Sequence, residues 1–325
     1  MNAVTRRIAL YLTAATALLA VGPSLAQDNS GFPFTYSHAY GETTIPAKPE
    51  RVVSISTGGN GLAQAVDATL VGAWRNRYAE NGQDPWLQPY GEETHILSAE
   101  SGGVLNFEEI AALEPDVIIA VDGAMPFNLA EAFPRLNDIA PTIVPVQGGN
   151  RLETYDVIGA ALGEPEKLKA LINRIDARIA SLRETFAPLS DKSVAYGQVT
   201  RDEVGIQVDP TIAASVQLLA ALGFEPPASI VTDYDAAAAR TPGTVHYSWE
   251  NAGALNAADI VLLGPNGVTE GELATNPLFE RLDVRQDGRL HIIPTELLLA
   301  VMLYGPYNAD WVLDQLEPLL ATLGE

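Results

Sequence analysis

One long amphipathic segment in the middle of the chain, residues 165–186, most constrains what this sequence can fold into. Its apolar residues recur every three or four positions, a spacing that predicts one buried helical face. These residues are Leu168, Leu171, Ile172, Ile175, Ile179, Leu182 and Phe186. Pro165 suits the first turn of the helix, and Pro188 stops it. At 1.5 Å per residue the helix is roughly 33 Å long, enough to cross a small domain.

On both sides of this helix, short apolar runs alternate with segments of helical pattern. We predict strands at 51–56, 70–74, 117–121 and 142–146 before it, and at 193–199, 260–264 and 290–294 after it. Helices that connect short, fully apolar strands are typical of parallel sheets. The sequence therefore predicts an α/β lobe at 27–150, helices at 151–187 that include the connecting helix at 165–187, and a second α/β lobe at 188–325. One larger domain with a long internal helix is the alternative.

The two halves also contain one similar segment each. Residues 107–119 read FEEIAALEPDVII, and residues 249–262 read WENAGALNAADIVL. In both, a helix that carries a glutamate leads to an aspartate and then to a buried strand. This similarity favours an internal repeat over a chance likeness between two α/β units.

Composition and charge exclude several classes of partner. Of the 325 residues, 47% are apolar and 18% are charged, which is typical of a folded globular protein. The formal net charge is −22, and no run of Lys and Arg occurs after the first few residues. Neither nucleic acid nor an anionic membrane surface is therefore an expected partner.

The N-terminus has the pattern of a cleavable export signal. Arg6 and Arg7 precede a short apolar stretch at 8–21, and small residues before position 27 predict cleavage after Ala26, so that 1–26 is a signal peptide. An uncleaved anchor is the alternative. No cysteine occurs, which excludes disulfides and a lipid-anchored cysteine. For a bacterial chain we therefore expect a soluble protein in the periplasm.

Several segments resemble those of one transport family. Residues 107–120, with Glu-Pro-Asp before the strand, resemble the N-L-E-x-I-x-A-L-x-P-D-L-I signature of class III (cluster A) substrate-binding proteins of ABC importers. Residues 51–54 resemble the opening strand of that family, and 276–282 and 288–291 resemble elements near its end. The resemblance spans roughly residues 45–320. It implies two Rossmann-like lobes with parallel sheets joined by a single long α-helix, with the ligand in the cleft at the carboxyl ends of the strands.

Members of that family carry ferric siderophores, cobalamin, haem or metal ions to a membrane permease. The resemblance therefore implies a periplasmic, non-enzymatic binding protein, and we predict a ferric siderophore as its ligand. Iron would enter only as part of the bound chelate, and no cofactor is expected. The implied partner is an inner-membrane ABC permease dimer, and a monomer is expected. Cobalamin or haem is the alternative ligand, and catecholate, hydroxamate and carboxylate siderophores all stay open.

Arginines and aromatic residues near the predicted strand ends are the candidate ligand contacts. Arginines would neutralise an anionic chelate through charge-assisted hydrogen bonds, and aromatic rings would pack against it. An arginine follows the strand of the second lobe in several ferric-siderophore binders, and Arg201 has that position here. The alternative for each arginine is a surface ion pair. The predicted contacts are Trp74, Arg75, Arg77, Tyr78, Trp86, Arg201, Arg240, His246, Tyr247, Trp249 and Tyr304.

Two glutamates, Glu108 and Glu250, match the glutamate that meets permease arginines on each lobe surface in that family. One such residue per lobe suits docking onto a two-subunit permease. The alternative is a glutamate favoured at a helix N-terminus by the helix dipole.

Other functions find little support in the sequence. None of the four histidines, His38, His95, His246 and His291, comes just after the first strand, where metal-ion binders of the family place one, so no metal site is predicted. The glycine-rich turn at 57–61 lacks the spacing and the lysine of a phosphate-binding loop. A secreted hydrolase is disfavoured because G-x-S-x-G, H-E-x-x-H and cysteine are all missing. An adhesion or scaffold module would not need a cleft of arginines and aromatic residues.

Overall fold

The computed structural model describes residues 31–76, 79, 81–97, 105–120, 127–145, 151–211, 213–236 and 241–323, with the backbone alone at 151–154. Within these residues the chain forms two five-stranded sheets, one before and one after a single long helix. The predicted fold class, two α/β lobes joined by one helix, is confirmed. The predicted signal peptide at 1–26 lies outside the described residues.

A hairpin and a parallel sheet form the first lobe (the N-lobe). Its elements are β1 (Phe34–His38), β2 (Gly41–Ile45), β3 (Val52–Ser54), α1 (Thr57–Ala65), β4 (Leu70–Trp74), β5 (His95–Leu97), α2 (Phe107–Ala112), β6 (Val117–Ile119), α3 (Leu129–Ile139), β7 (Thr142–Ile143) and α4 (Arg151–Ala161). The strand order is β5-β4-β3-β6-β7, and every neighbouring pair is parallel. In the hairpin, the Thr43 hydroxyl donates to the carbonyl oxygen of Thr142 at 2.9 Å, which attaches β2 to the edge of this sheet.

Helix α1 contains the glycine-rich turn, and its glycines serve packing. Ser56 caps the helix, because its hydroxyl accepts the N–H of Gly59 at 3.1 Å. A Cβ atom at Gly61 would lie 2.6 Å from the ring of Tyr307, a residue from the far end of the chain. Glycine is therefore needed here so that the two segments can approach closely.

The connecting helix is α5 (Pro165–Thr185), close to the predicted range. Its buried face is divided between the two lobes. Leu168 and Ile172 belong to the core of the N-lobe, whereas Ile175, Ile179 and Leu182 belong to the core of the second lobe. One rigid element is thus anchored by apolar packing at both ends, so the lobes are held at a defined separation.

After a 3₁₀ turn at Ala187–Leu189, the second lobe (the C-lobe) begins. Its elements are β8 (Val194–Val199), β9 (Glu203–Gln207), α6 (Ala214–Leu222), α7 (Ala228–Ala236), β10 (Thr244–Ser248), a 3₁₀ helix (Trp249–Ala257), β11 (Ile260–Pro265), α8 (Glu270–Ala274), α9 (Pro277–Glu280), α10 (Asp283–Gln286), β12 (Leu290–Ile292), α11 (Thr295–Met302) and α12 (Ala309–Leu323). The strand order is β10-β9-β8-β11-β12.

The C-lobe sheet differs from the all-parallel sheet that the sequence predicted. β8, β11 and β12 are parallel, but β9 runs antiparallel to both β8 and β10. The cause is a tight turn after β8, in which the N–H of Thr200 donates to the carbonyl oxygen of Glu203 at 2.9 Å. Gly197 and Gly205 let the two strands approach, since a Cβ at Gly197 would lie 1.9 Å from the Gly205 oxygen. The short strands β9 and β10 were not predicted.

The internal repeat has a structural meaning. The carboxylate of Asp116, just before β6, accepts the backbone N–H of Arg51, just before β3, at 3.0 Å. In the C-lobe the carboxylate of Asp259, just before β11, accepts the backbone N–H of Ser193, just before β8, at 2.9 Å. The hydrogen bonds from Ser193 lower the pKa of Asp259. In each lobe, the aspartate therefore joins the starts of two neighbouring parallel strands.

Candidate functional site

A pocket of about 590 Å³ lies between the two lobes. On the N-lobe side it is lined by Asn76, Asp84 and Trp86, from the loop that follows β4. On the C-lobe side it is lined by Thr295 and Glu296, at the start of α11, which follows β12. Both walls therefore follow the carboxyl ends of strands, the edge at which open α/β sheets bind ligands. We call this space the inter-lobe pocket.

The N-lobe wall belongs to the long connection between β4 and β5, whose described residues 75–76, 79 and 81–94 are joined by hydrogen bonds within the loop. The backbone N–H of Asn76 donates to the carbonyl oxygen of Gly82 at 2.8 Å, which closes a turn. Helix α1 anchors the loop from behind. The Gln64 amide donates to the carbonyl oxygen of Gln88 at 2.9 Å, and the Gln64 oxygen accepts the Gln88 N–H at 3.1 Å.

Asp84 is the buried acid of this loop, with 3% of its surface exposed. Its Oδ1 accepts the side-chain N–H of Asn76 at 2.7 Å. Its Oδ2 is buried and has no hydrogen-bond partner among the residues that the structure describes. Burial raises the pKa of Asp84 from its ordinary value of 3.8 to about 6, and the hydrogen bond from Asn76 offsets part of that rise. Burial, with the nearby Asp84 charge, also raises the pKa of Tyr90.

Trp86 lines two neighbouring pockets. Its ring lies 5.8 Å from that of Trp311 in α12, at an interplanar angle of 58°, and packs against the C-lobe core. A second, smaller pocket of about 270 Å³ lies on the other side of Trp86 and is lined by Leu171 of α5 and by Tyr307. The buried indole N–H of Trp86 has no acceptor within the described parts of the chain. Trp86 therefore lines both pockets, and its buried N–H is an unused donor.

The C-lobe wall is built where three chain segments meet. The Thr295 hydroxyl donates to the carbonyl oxygen of Pro265 at the end of β11, at 2.9 Å. The N–H of Asn266 donates to the carbonyl oxygen of Val199 at the end of β8, at 2.8 Å. The ends of β8 and β11 and the start of α11 therefore share one edge, and Glu296 is exposed there.

With this geometry in hand, comparison with known proteins identifies the family. Residues 52–297 match the family of periplasmic binding proteins. The chain belongs to this family. The members of this family are binding proteins and not enzymes. The predicted family and the predicted non-enzymatic role are therefore both confirmed.

Individual relatives of this periplasmic binding protein are distant. The iron(3+)-hydroxamate-binding protein YxeB of Bacillus subtilis is 23% identical over 165 residues, 50% of this chain and 46% of that protein. The match thus spans about half the length of that relative. A periplasmic solute-binding protein from Mycobacterium smegmatis has a TM-score of 0.72 and 24% identity, covering 90% of this chain and 98% of its own.

Two further solved structures hold named ligands. Streptococcus pneumoniae PiaA, in complex with ferrichrome, has a TM-score of 0.69 and 23% identity, with 89% of this chain and 98% of that chain covered. Staphylococcus aureus SirA, complexed with staphyloferrin B, has a TM-score of 0.70 and 20% identity, with the same coverage. At these identities the likeness establishes the fold.

Of the ligand contacts predicted in the N-lobe of this binding protein, Trp86 lines the inter-lobe pocket. Trp74 is buried in the N-lobe core, where its ring meets Phe127 edge-on at 5.9 Å. Arg75 is exposed and its side chain lies over Gly82. Arg77 and Tyr78 lie outside the described residues.

Four of the C-lobe contacts, Arg201, His246, Tyr247 and Trp249, lie in β10 or just after β8 or β10, and no described C-lobe contact is among the residues that line the pocket. Arg201 is exposed and pairs with Glu272 at 2.7 Å, and its carbonyl oxygen accepts the indole N–H of Trp249 at 2.7 Å. Three further predicted contacts, His246, Tyr247 and Tyr304, also have positions in the C-lobe that the structure describes. His246 is bonded to Glu203 and Thr241, Tyr247 donates to Asp233 at 2.7 Å, and Tyr304 is buried in the C-lobe core. Arg240 lies outside the described residues. Ligand contact by any of these residues stays a prediction.

The sequence did not point to Asn76, Asp84, Thr295 or Glu296 as pocket residues. A weak signal was present, because Asp84-Pro85-Trp86 places an acid beside an aromatic residue in the loop after a buried strand. Polar residues are common in loops, however, and only the packing of α11 against this loop shows which of them line a pocket.

Glu108 and Glu250 are both exposed, each in the first turn of its helix. α2 precedes β6 and the 3₁₀ helix precedes β11, so both glutamates lie toward the carboxyl edges of the two sheets. Hydrogen bonds from its own backbone N–H and from Ser248 lower the pKa of Glu250. Their role in docking stays a prediction.

The described residues lack two kinds of feature. They contain no group of three His, Cys, Asp or Glu side chains that could hold a metal ion. In the same residues, no helix is both long and apolar enough to span a membrane.

Proposed function

We propose that this binding protein captures a ferric siderophore in the inter-lobe pocket, outside the inner membrane, and delivers it to an ABC permease. The observation that carries the proposal is the pocket itself, whose walls follow strand ends of both lobes and include Trp86. Its volume of about 590 Å³ lies in the range of small-molecule sites. The relatives support the same ligand class, since two of them are a hydroxamate-binding protein and a complex with ferrichrome.

The proposed capture divides the work between the lobes. Trp86 packs against the chelate from the N-lobe. Arg201 lies outside the pocket lining and would contact the chelate from the C-lobe edge only after leaving its ion pair with Glu272. Because α5 is anchored in both cores, the two walls keep their spacing when the ligand enters. Glu108 and Glu250, one on each lobe, then meet basic residues of a two-subunit permease.

Intrinsic tryptophan fluorescence tests the ligand class. The panel is ferrichrome, a ferric catecholate, ferric citrate, haem, cobalamin and free Fe³⁺, with iron-free ferrichrome as the control for the organic scaffold. We expect saturable submicromolar quenching by a ferric siderophore. Quenching by haem or cobalamin alone would replace the ligand, and no response to any member would overturn the proposal.

Two variants locate the response. Trp86→Phe removes the indole that lines the pocket and should abolish most of the quenching. Trp74→Phe removes an indole that is buried in the N-lobe core and should retain it. The reverse result would place the ligand beside Trp74, away from the inter-lobe pocket.

A further inference from the structure

We propose that Asp84 binds a positively charged nitrogen of the ligand, so that this protein selects a ferric chelate that carries an ammonium group. The inference rests on the proposed function, since it names the chemical class of chelate for the same pocket. It is carried by the position of one buried carboxylate, by the charges around the pocket and by the neighbouring indole.

The carboxylate of Asp84 has hydrogen-bonding capacity that the described residues do not use. A carboxylate offers about four lone-pair sites to donors. Asn76 occupies one oxygen at 2.7 Å, while the other, Oδ2, is buried without a partner in the described residues. Buried polar atoms without partners are rare in native proteins and ask for an explanation. Asp84 lines the pocket, so a donor on a ligand bound there supplies one when it displaces the atoms that cover Oδ2.

In the free protein, the buried carboxylate of Asp84 lowers the stability of the fold. The residue is buried, with 3% of its surface exposed. Burial disfavours the ionised form of a carboxyl group unless a cation or several donors compensate. An asparagine at this position would keep the bond to Asn76 without that cost. A residue that weakens the fold while facing a binding pocket is expected where function requires its charge.

A further argument concerns the sign of the charge in the pocket. Among the described residues that line it, the charged ones are Asp84 and Glu296, both acidic. Arg75 lies over Gly82 on the same loop and is exposed to solvent. This lining favours a cation over the anionic chelates that catecholate and carboxylate siderophores form. Trihydroxamate chelates of Fe³⁺ are neutral at the metal, so a free amine makes them cationic.

The last argument is the neighbouring indole. Trp86 lines the pocket in the same loop as Asp84. An aromatic face attracts an ammonium group, most strongly when water is excluded. Its unpartnered N–H is suited to a hydroxamate or amide oxygen of the same chelate. Asp84 and Trp86 together therefore match an ammonium arm attached to an oxygen-rich ferric core.

The experiment compares two chelates that differ only at the amine. One is a linear ferric trihydroxamate with a single free primary amine, and the other is the same chelate acetylated at that amine. Each is titrated by isothermal calorimetry into the wild type and into Asp84→Asn, with ferrichrome as the amine-free reference. We expect the wild type to prefer the free amine by roughly 10- to 100-fold, the range for a hydrogen bond to a charged group.

In Asp84→Asn we expect that preference to disappear. Affinity for the free amine falls about 10-fold or more, and affinity for the acetylated chelate changes less than about twofold. Glu296→Gln is the matched control, because Glu296 is an exposed acid of the same pocket and its loss should have a smaller effect. Asp84→Glu retains the charge and should retain a preference for the amine.

The outcomes separate this inference from the function on which it rests. If the wild type binds both chelates equally, or if Asp84→Asn keeps the preference, the inference is overturned while siderophore binding stands. If no ferric chelate binds the wild type, both are overturned. The wild-type comparison needs no variant, so it decides the matter even if Asp84→Asn fails to fold.

Discussion

The two lobes share the connection that leads into one of their central strands, but they differ in the connection that follows the first strand of each sheet. In both, a helix, an aspartate and a strand follow in that order, and Asp116 and Asp259 join the same pair of strand starts. On the other side, the N-lobe reaches its next strand through helix α1, whereas the C-lobe turns directly from β8 into β9. After β4 the N-lobe chain forms the long loop at the cleft, whereas the C-lobe hairpin has only a short turn there.

This difference separates two kinds of polar group. In the C-lobe hairpin region, Arg201, Tyr247 and Trp249 each have a protein partner. In the N-lobe loop, Asp84 and Trp86 each keep a buried polar atom without a partner in the described residues. The hairpin region therefore satisfies these polar groups within the protein, whereas the loop leaves two buried polar atoms unpaired, as the proposed ligand contacts require.

The largest expected effect tests why the C-lobe needs its hairpin glycines. Gly197→Ala should lower the free energy of unfolding by about 3 kcal/mol or more, because the new Cβ would overlap the backbone oxygen of Gly205. Gly253→Ala is the control, since a Cβ there meets no atom within 4 Å. Urea unfolding of the two variants measures both. Equal stability would show that the strands separate at little cost.

The next effect tests the burial cost of Asp84. Its pKa in the folded state, about 6, exceeds its ordinary value of 3.8. The cost is therefore absent below about pH 3, where the carboxyl is protonated in both states, and it develops as the pH rises from the unfolded-state pKa to the folded-state pKa of about 6. At pH 7, Asp84→Asn should be more stable than the wild type by up to about 3 kcal/mol.

The measurement is urea unfolding of the wild type and Asp84→Asn at about pH 3 and at pH 7. The burial cost of the charge should nearly vanish at about pH 3. Among the described residues, Tyr90 responds to the charge of Asp84 and Glu296 lines the same pocket, and both are the same in the two proteins. An identical pH dependence for both proteins would show that Asp84 is solvated and carries no such cost.

A smaller effect compares ligand binding by the two lobes. Trp86→Ala should weaken siderophore binding by about 2 kcal/mol, roughly 30-fold, as is typical of a central aromatic anchor. Arg201→Ala should weaken it by about 1 kcal/mol or less, because the side chain is 70% exposed and already paired with Glu272. Calorimetric titration with ferrichrome ranks the two. A larger loss from Arg201→Ala would reverse the assignment of the main anchor to the N-lobe loop.

The smallest effect on affinity is expected from the surface glutamates. Glu108→Ala combined with Glu250→Ala should leave siderophore affinity within about twofold, since both residues are exposed and neither lines the pocket. Uptake by cells that carry the permease should fall. Alanine at Glu317, another exposed acid, serves as the control. Unchanged uptake in the double variant would remove these residues from the docking surface.

Much of the fold was accessible from local patterns. The 3–4 spacing of apolar residues placed α5 within a residue or so of its observed end, and the repeat placed β6 and β11. The short strands β9 and β10 were missed. β9 follows β8 after only three residues, and its role as a strand depends on pairing with β8 across Gly197 and Gly205.

The candidate site was accessible only in part. Trp86 stood out because a tryptophan in a loop after a buried strand is a natural ligand contact. Trp74 and Tyr304 looked equally suitable, yet both are buried in lobe cores. Strand and helix patterns say which residues lie near the carboxyl edge of a sheet, but the direction of each side chain depends on its neighbours.

The amino-acid pattern of this chain determined the two α/β lobes, the single helix between them and the family, because these depend on periodic burial and on short local motifs. Tertiary structure alone decided which residues form the pocket. Asp84 and Glu296 lie far apart in the chain and line one space only because α5 is anchored in both cores and sets the distance between their lobes. The unmet bond of Asp84 is likewise a property of that packing, since the same carboxylate on an open loop would be hydrated.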